Sequence, residues 1–399
     1  MTRRQLLATT IALPSPALLR RDPELYWKRI RADQFLLPEW RVYLNNGSLG
    51  VPPKSVLAAV QESLTRGASL VDDHYPRWGY ETLDDLRTEL AAWLGCGKDE
   101  LALTHNATEA MSTIANGLDL KAGDEVVITD QEHPSGRNPW LLKQARYGIS
   151  VREVPIPLPP KSPDQLADLI TSAIGPRTRV LSFSGITTTT GLITPVRQIC
   201  EAARAKGVIS VVDGAHMNGQ IPLRISEFNC DFFAGSPHKW LFAPPGCGLL
   251  YIRESMLDRL WPNVETGGWD DRTLKAGRFM RYGTNNISIF DGLRAGLRFH
   301  QALGPEVIFD RIHSLAQGVR KQAAARTYVE LLTPGDERMY GAMVTFRIRR
   351  GDTKPLFEAC ARRRIWISGG ADRVRISTHI HTRPADVEAF FTTLDEVYG

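Results

Sequence analysis

Residues 208–240 read VISVVDGAHMNGQIPLRISEFNCDFFAGSPHKW. Two short strand-like runs, VISVV at 208–212 and DFFA at 231–234, are mainly apolar. DGAH follows the first run directly, and SPHK follows the second after Gly235. Nearly continuous apolar runs of this length are typical of strands in a parallel sheet that is covered on both faces. Ligands bind beyond the carboxyl ends of such strands. This stretch therefore predicts an α/β fold with a functional site at the strand ends.

The same alternation extends in both directions along the chain. Strand-like runs occur at residues 101–104, 125–129, 179–183 and 248–252, with helix-like stretches such as 109–118 and 196–206 between them. This pattern predicts a mostly parallel sheet in a large domain. Farther along, a helix-like stretch at 307–332 precedes strand-like runs at 343–347 and 374–377, and this order predicts a smaller α+β domain at the C-terminal end.

The composition excludes several classes of protein. The chain has 399 residues, 43% hydrophobic and 23% charged, with a formal net charge of +5, and no apolar run approaches the roughly 18–20 residues that span a membrane. The basic residues form no stripe with interleaved aromatic residues, so we expect no nucleic-acid partner. The five cysteines have neither CxxC spacing nor adjacent histidine ligands, so we expect neither a disulfide framework nor a metal site.

The N-terminal residues leave two interpretations of the chain's compartment. Arg3 and Arg4 precede a short apolar stretch, an arrangement that resembles a twin-arginine export signal. The apolar stretch is short for a signal, with only about eight residues. We therefore expect a cytoplasmic protein, or a periplasmic one if the twin arginine is a true export signal.

Two strand ends carry groups that apolar packing does not need. Asp213 directly follows an apolar strand, where burial of its charge is costly unless a cation such as a protonated heteroaromatic nitrogen meets it; the alternative is a helix N-cap. Lys239 lies next to Trp240, Leu241 and Phe242. Desolvation there would favour a neutral, nucleophilic amine, whereas the alternative is a lysine that extends its amine to solvent.

Two further strand ends are ambiguous when they are considered alone. The sequence NATE at residues 106–109 predicts an anion site at a helix N-terminus, or simply a capped helix start with no ligand. His133 follows another strand and alone is more typical of a structural or solvated histidine. Together with Asp213 and Lys239, however, these groups match what pyridoxal phosphate needs: an amine for a Schiff base, an acid for the pyridine nitrogen and donors for a dianionic phosphate.

With these groups, the sequence resembles the class V aminotransferase family of fold-type I pyridoxal phosphate enzymes, and within that family the isopenicillin N epimerase branch. The resemblance covers nearly the whole chain after residue 22. It is carried by the segments YLNNGSLG at 43–50, NATE at 106–109, EH at 132–133 with PW at 139–140, VDGAH at 212–216, SPHK at 236–239, RYGT at 281–284 and VRISTHI at 374–380. It implies a seven-stranded, mostly parallel sheet, a pyridoxal phosphate cofactor, a small amino-acid substrate and a homodimer with shared active sites.

The resemblance also implies a division of the chain. Residues 1–21 are expected to be either the twin-arginine signal or a disordered N-terminus. Residues 22–64 would form an N-terminal segment that packs on the small domain. The large, cofactor-binding domain would comprise residues 65–299 and the small C-terminal domain residues 300–399.

The catalytic roles implied by the resemblance centre on three residues. Lys239 resembles the lysine that forms the Schiff base and moves the proton of the substrate's α-carbon. Asp213 resembles the partner of the pyridinium nitrogen, and His133 the imidazole that stacks on the cofactor ring.

The binding roles implied by the resemblance involve more of the chain. Ala107, Thr108, Ser236 and His238 match phosphate-binding positions, His216 matches the position that hydrogen-bonds the cofactor's 3′-oxygen, and Thr284 resembles a residue that reaches the phosphate of the neighbouring subunit. Arg375 aligns with the arginine that binds a substrate carboxylate in a bidentate pair, and either Asn45 or Asn46 is expected near the substrate.

The sequence is compatible with more than one reaction of this family. Residues 365–373 contain no cysteine before Arg375, and Cys360 lies in a helix-like segment, so sulfur transfer through an enzyme persulfide is not expected. Epimerisation and transamination are both retained, with C–S bond cleavage by β-elimination as the alternative. A protein that binds the cofactor without turnover is a remote alternative, since both Lys239 and Asp213 are present. An epimerase also needs a second acid, on the opposite face of the α-carbon.

Two stretches bear on the substrate. Residues 184–191 read SGITTTTG, where the epimerase branch usually has a histidine, so Gly185 and the threonine run put the substrate of that branch in doubt. The substrate's side chain is expected to meet His74, Tyr75, Arg77, Trp78 and the turn at 266–269, whose aromatic and basic residues favour a polar or acidic side chain.

Overall fold

A computed structural model of the chain describes residues 11–74, 80–349 and 351–399, without the side chains of residues 72, 74, 81 and 82. The predicted twin arginine, Arg3 and Arg4, lies outside the described residues. The same is true of Tyr75, Arg77 and Trp78 and of the side chain of His74, which were expected near the substrate.

The N-terminal segment consists of helices and one short strand. Its elements are α1 (Pro16–Arg21), α2 (Pro23–Gln34), β1 (Val42–Tyr43), α3 (Lys54–Ser69) and α4 (Val71–His74). The side chains of Ser15 and Asp22 accept backbone N–H groups at the starts of α1 and α2, at 3.2 and 3.0 Å, and each helix begins with a proline. This combination of an N-cap oxygen and a first-turn proline fixes where the helices begin.

The central sheet has seven strands in the order β2-β8-β7-β6-β5-β3-β4. Four neighbouring pairs are parallel, and β8 runs antiparallel to β2 and β7. The predicted α/β class and the mostly parallel sheet are confirmed. The strands are β2 (Leu101–Thr104), β3 (Glu125–Thr129), β4 (Ser150–Val154), β5 (Thr178–Ser184), β6 (Ile209–Asp213), β7 (Phe232–Gly235) and β8 (Gly248–Ile252).

The strand-like runs of the sequence form strands of this sheet, and their ends differ from the predicted ones by at most one residue. Every residue of β2, β3, β6, β7 and β8 is buried, which explains their continuous apolar character. Edge strand β4, sequence SVREV, escaped the sequence analysis because exposed Arg152 and Glu153 interrupt its apolar run.

Helices connect the strands. They are α5 (Tyr80–Leu94), α6 (Ala107–Gly117), α7 (Pro134–Tyr147), α8 (Pro163–Ser172), α9 (Val196–Ala205), α10 (Ile225–Phe228), α11 (Pro237–Trp240) and α12 (Ile287–Leu303), with 3₁₀ turns at Lys98–Glu100, Glu254–Arg259 and Arg272–Met280. Close packing requires a glycine at position 214, because an added Cβ would lie 2.0 Å from the ring of Phe233. The position directly after Asp213 therefore has no room for a side chain.

A smaller antiparallel sheet follows, in the order β12-β13-β10-β9. The strands of this sheet and the neighbouring helices form a second hydrophobic cluster, which includes Val42 of β1 and Leu44 just after it. Strand β1 pairs with β11 in parallel. The elements of this part are α13 (Pro305–Ala324), β9 (Val329–Leu331), β10 (Met343–Ile348), α14 (Lys354–Arg362), β11 (Ile365–Trp366), β12 (Ser368–Gly369), β13 (Arg373–Ser377) and α15 (Pro384–Tyr398), with a 3₁₀ turn at Glu337–Met339.

The helix expected over residues 307–332 is wrong at its C-terminal end. The helix ends at Ala324, and Val329–Leu331 pair with β10 instead. The β-branched and aromatic residues after Arg326 favour a strand once a neighbouring strand offers hydrogen bonds. Within the described parts of the chain, no helix is long and apolar enough to cross a membrane.

Candidate active site

The carboxyl ends of β5 and β6 and the starts of α6, α7 and α11 surround a cavity of about 370 Å³. Strand β13 of the smaller sheet contributes Arg375. Most of the predicted site residues meet at this cavity. Its lining comprises Gly47, Ser48, Asn106, Ala107, Thr108, His133, Ser135, Ser184, Ile186, Thr188, Asp213, Ala215, His216, Ser236, His238, Lys239 and Arg375.

Lys239 projects a buried amine into the cavity from the short helix α11. Burial lowers the pKa of Lys239 to about 8, a shift that Asp213 opposes and Arg375 adds to. The Lys239 backbone is held as well, since Asn46 Nδ2 donates to its carbonyl oxygen at 2.9 Å. A Cβ on Gly50 would lie 2.2 Å from the same oxygen. A larger fraction of this amine is therefore neutral near physiological pH than in an ordinary lysine, and the backbone that carries it is held in place.

His216 is in hydrogen-bond contact with that amine. Its Nε2 lies 3.0 Å from Lys239 Nζ and 3.2 Å from Thr188 Oγ1. Burial, together with the neighbouring Lys239 and Arg375, holds the pKa of His216 well below its ordinary value. The imidazole is therefore neutral and acts as a hydrogen-bonding group rather than as a cation.

Asp213 ends β6 and is 5% exposed. Its Oδ1 accepts the backbone N–H of Ala215 at 3.0 Å. A second carboxyl group, that of Glu132, is close by, because a Cβ on Gly136 would lie 3.3 Å from Asp213 Oδ2 and 3.5 Å from Glu132 Oε2. Two carboxyl groups in one buried region oppose each other's ionisation.

The protonation of Glu132 is shifted by its surroundings. Burial raises the pKa of Glu132 to about 7, and the charge of Asp213 adds to the rise. Three groups donate to Glu132: Thr129 Oγ1 at 2.5 Å, Ser184 Oγ at 2.6 Å and the Ser184 backbone N–H at 3.2 Å. These donors limit the rise because they stabilise the carboxylate.

A cluster of polar groups occupies the other end of the cavity, at the start of α6. Thr108 Oγ1 and Ser135 Oγ lie 2.8 Å apart, and the backbone N–H of Ala107 donates to Ser236 Oγ at 3.1 Å. His238 is fixed by a contact of 3.4 Å between its Nδ1 and the carbonyl oxygen of Cys247. Hydroxyl groups, an imidazole and a helix N-terminus are a suitable set of donors for a phosphate group.

His133 caps α7 and lines the cavity between the two ends. Its Nδ1 accepts the backbone N–H of Ser135 at 3.1 Å. Burial and then Lys239 lower the pKa of His133, which Asp213 partly opposes. A neutral ring held by its own helix start is suited to flat packing against an aromatic ligand.

Arg375 is 6% exposed and lies on the small-sheet side of the cavity. One terminal nitrogen donates to the carbonyl oxygen of Thr188 at 2.6 Å, and the other to Ser48 Oγ at 2.8 Å and Asn45 Oδ1 at 3.3 Å. Its Nε has no hydrogen-bond partner among the described residues. Burial lowers the pKa of Arg375 to about 10. Among the described side chains no carboxylate pairs with this guanidinium, and a buried guanidinium of that kind is a site for an anionic ligand.

The remaining predicted residues have other positions. Asn45 contacts Arg375, and Asn46 contacts the Lys239 backbone and His381; neither lines the cavity. Thr284 is exposed in the loop before α12, away from this cavity, so its expected role in a neighbouring subunit stays a prediction. The turn at 266–269 is held by a bond of 2.9 Å from Thr266 Oγ1 to the carbonyl oxygen of Arg281 and does not line the cavity.

The structure adds residues that the sequence analysis did not assign to the site. Ser48 and Thr188 bind Arg375, Ser135 joins the polar cluster, and Ser184 holds Glu132. Ser48 and Thr188 belong to stretches that were singled out in the sequence, LNNGSLG and the threonine run. The small size of Gly185 serves packing, because a Cβ there would lie 2.1 Å from Met217 Sδ.

The residues present fit pyridoxal phosphate. The amine of Lys239 suits the aldehyde, the carboxylate of Asp213 suits a protonated pyridine nitrogen, and the cluster at Thr108, Ser236 and His238 suits the phosphate. The lowered pKa of the Lys239 amine is the feature that a purely structural lysine would not need.

The model of the class-V aminotransferases matches residues 42–390. The chain therefore belongs to the class-V aminotransferase family, and it is a pyridoxal phosphate-dependent enzyme of fold type I. It is 33% identical over 390 residues to isopenicillin N epimerase of Streptomyces clavuligerus, covering 93% of this chain and 96% of that protein. It is 32% identical over 381 residues to the protein of the same name from Amycolatopsis lactamdurans, with 89% and 94% coverage.

Solved structures share this fold. The cystine C–S lyase C-DES, in complex with its reaction product cysteine persulfide, superimposes with a TM-score of 0.80 at 24% identity and covers 90% of this chain and 98% of its own. The cysteine desulfurase CsdA from Escherichia coli has a TM-score of 0.80 at 22% identity, with 93% and 98% coverage. At this level of identity the similarity shows the fold.

Proposed function

We propose that this enzyme moves the α-proton of an amino acid whose carboxylate is bound by Arg375, and that the net reaction is epimerisation. The observation that carries the proposal is the position of two groups in one cavity, the buried amine of Lys239 and the guanidinium of Arg375. The two relatives named isopenicillin N epimerase, similar over nearly their whole length, favour epimerisation among the reactions of the family.

In this proposal each residue has a separate task. Arg375 binds and orients the substrate carboxylate, and burial strengthens that charge-assisted pair. Lys239, with a pKa of about 8, is suited to exchange a proton with one face of the α-carbon near neutral pH. Inversion also needs a second acid that supplies a proton to the opposite face. Asp213 keeps a cationic ring nitrogen charged. When bound, pyridoxal phosphate supplies the electron sink for the carbanion.

Transamination is the nearest competing reaction, because it begins with the same proton transfer. It differs in the destination of the proton: Lys239 would deliver it to the cofactor and the amino group would leave the substrate. An epimerase returns the proton to the opposite face of the α-carbon instead. The two reactions therefore differ in their products and not in the residues that bind the carboxylate.

C–S bond cleavage by β-elimination is the second candidate, and relatives named as cysteine desulfurases match this chain at 28 to 30% identity. Sulfur transfer through an enzyme persulfide is not supported. The cavity lining contains none of the five cysteines, all of which the structure describes. Cys360 is buried in the second hydrophobic cluster, and burial raises its pKa to about 12. Such a thiol is a poor nucleophile.

Proton NMR in heavy water tests the proposal with the cofactor-loaded enzyme and a panel of L- and D-amino acids. Loss of the α-proton signal with appearance of the opposite enantiomer supports epimerisation and identifies the substrate class. A keto acid formed only with an amino acceptor would indicate transamination, and one released without an acceptor would indicate elimination. No exchange with any amino acid would contradict the proposed substrate class.

We also propose a homodimer in which Thr284 reaches the phosphate of the neighbouring subunit. Light scattering of the purified protein measures the assembly state, and a monomer at micromolar concentration would contradict it. The compartment follows from Arg3 and Arg4: export if they are recognised as a signal, and the cytoplasm otherwise. Cell fractionation of the wild type beside the double variant Arg3→Lys, Arg4→Lys separates the two.

A further inference from the structure

Behind the cavity, Trp240 makes a hydrogen bond that the roles above do not use. Its indole Nε1 donates to His216 Nδ1 at 3.3 Å, and both side chains are buried. An indole N–H can only donate. Nδ1 of His216 must therefore accept, and in a neutral imidazole the single ring proton then belongs to Nε2.

The proton on Nε2 points toward two acceptors. Lys239 Nζ lies 3.0 Å from His216 Nε2, and Thr188 Oγ1 lies 3.2 Å from it. An ammonium group has no lone pair and cannot accept this hydrogen bond, whereas a neutral amine can. The tautomer of His216 thus decides which form of Lys239 is favoured.

We propose that Trp240 is a positioning residue that fixes His216 as its Nε2–H tautomer, so that His216 is a permanent hydrogen-bond donor to the neutral amine of Lys239. When Lys239 engages the aldehyde of pyridoxal phosphate, the same N–H remains available to Thr188 Oγ1 or to an oxygen of the bound ring. This inference refines the proposed function. It rests on the proposed function only where an oxygen of the bound ring is the acceptor.

The amine of Lys239 has its hydrogen-bond contact with His216 Nε2. The other charged or titratable groups that line the cavity around the amine are Asp213, Arg375, His133 and His238. Asp213 favours the ammonium and Arg375 opposes it. With the opposite tautomer, Nε2 of His216 would accept a hydrogen bond from the ammonium and would stabilise the charged form. The Trp240 hydrogen bond removes that option.

Nitrogen NMR of the cofactor-loaded protein with ¹⁵N-labelled histidine tests the tautomer directly. The chain has nine histidines, and the signals missing from His216→Gln identify those of His216. We expect the protonated nitrogen of the wild type to be Nε2. A wild type in which Nδ1 carries the proton would overturn the proposal, and this measurement needs neither substrate nor turnover. Its failure is therefore distinguishable from failure of the proposed function.

Trp240→Phe removes the indole N–H and keeps an aromatic ring, and we expect the His216 signals to move toward the Nδ1–H tautomer. Trp140→Phe is the matched control. Trp140 is fully buried, and its Nε1 has no hydrogen-bond partner in the described part of the chain. Unchanged His216 signals in Trp240→Phe, or equal changes in both variants, would overturn the proposal.

The rate at which the cofactor-free chain recovers covalently bound pyridoxal phosphate supplies a second readout. Loss of the tautomer raises the pKa of Lys239, so below pH 8 the Trp240→Phe variant should recover cofactor on the order of tenfold more slowly, the effect of one pKa unit. The difference should disappear at high pH, where both amines are neutral. A slower rate that is independent of pH would indicate a merely structural role.

Discussion

The buried carboxyl group of Glu132 makes a pH-dependent contribution to stability. Burial raises the pKa of Glu132 from 4.5 to about 7, so the folded state binds a proton more tightly than the unfolded state does. Between these two values folding takes up a proton, and the free energy of unfolding falls as the pH rises. The contribution of Glu132 to the free energy of unfolding is fully present below pH 4.5 and is lost as the pH rises through about 7. At about 1.4 kcal/mol for each pKa unit, the total is about 3 kcal/mol.

Glu132→Gln removes this dependence, because the amide has no proton to lose and its oxygen still accepts from Thr129 and Ser184. We expect the difference in unfolding free energy between variant and wild type to shift by about 3 kcal/mol in favour of the variant between pH 4.5 and pH 8. Chemical unfolding at a series of pH values, in the presence of excess pyridoxal phosphate, measures that shift.

Infrared spectroscopy gives a direct measure of the same proton. The wild type should show a protonated-carboxyl stretching band that titrates with a midpoint of about 7 and that is missing from Glu132→Gln. In Ser184→Ala, which lacks the hydroxyl donor to Glu132 Oε2, the midpoint should rise. A band that titrates below pH 5, or one that Glu132→Gln retains, would refute the reasoning.

Three further changes test the site and its packing. Arg375→Ala should lower kcat/KM for amino acids by about 10- to 100-fold through loss of a charge-assisted pair. The control is Arg347→Ala, at a half-exposed arginine of the same small sheet, which should leave kcat/KM unchanged. Equal kinetics of both variants would remove Arg375 from the site. Lys239→Ala should abolish covalent cofactor binding, measured as cofactor retained by the denatured protein after the imine has been reduced with borohydride, and cofactor retained by the variant would contradict the role of Lys239. Gly185→Ala should destabilise the fold by about 1–3 kcal/mol because its Cβ meets Met217 Sδ at 2.1 Å. The loss caused by Gly185→Ala should be smaller in a Met217→Ala background than in the wild type, and equal losses in the two backgrounds, measured by chemical unfolding, would contradict this contact.

The sequence by itself determined the fold class and the chemical identity of the site. Apolar strands that end in Asp213 and in the SPHK segment predict a parallel sheet with reactive groups at its edge. This works because burial on both faces of a sheet demands an uninterrupted apolar run, and a polar residue at its end is then easily recognised. Strand β4 lies at the edge of the sheet, where exposed residues weaken this signal. It was missed for that reason.

Only the tertiary structure decided the protonation states and the partners. Glu132 and Asp213 are 81 residues apart in the chain, yet they approach across Gly136. Thr188 and Ser48 join Arg375 from separate segments, and Trp240 reaches His216 behind the cavity. Burial and distance set the pKa of a buried group and the tautomer of a histidine. Neither quantity exists until the chain has folded, so spacing along the sequence carries no record of them.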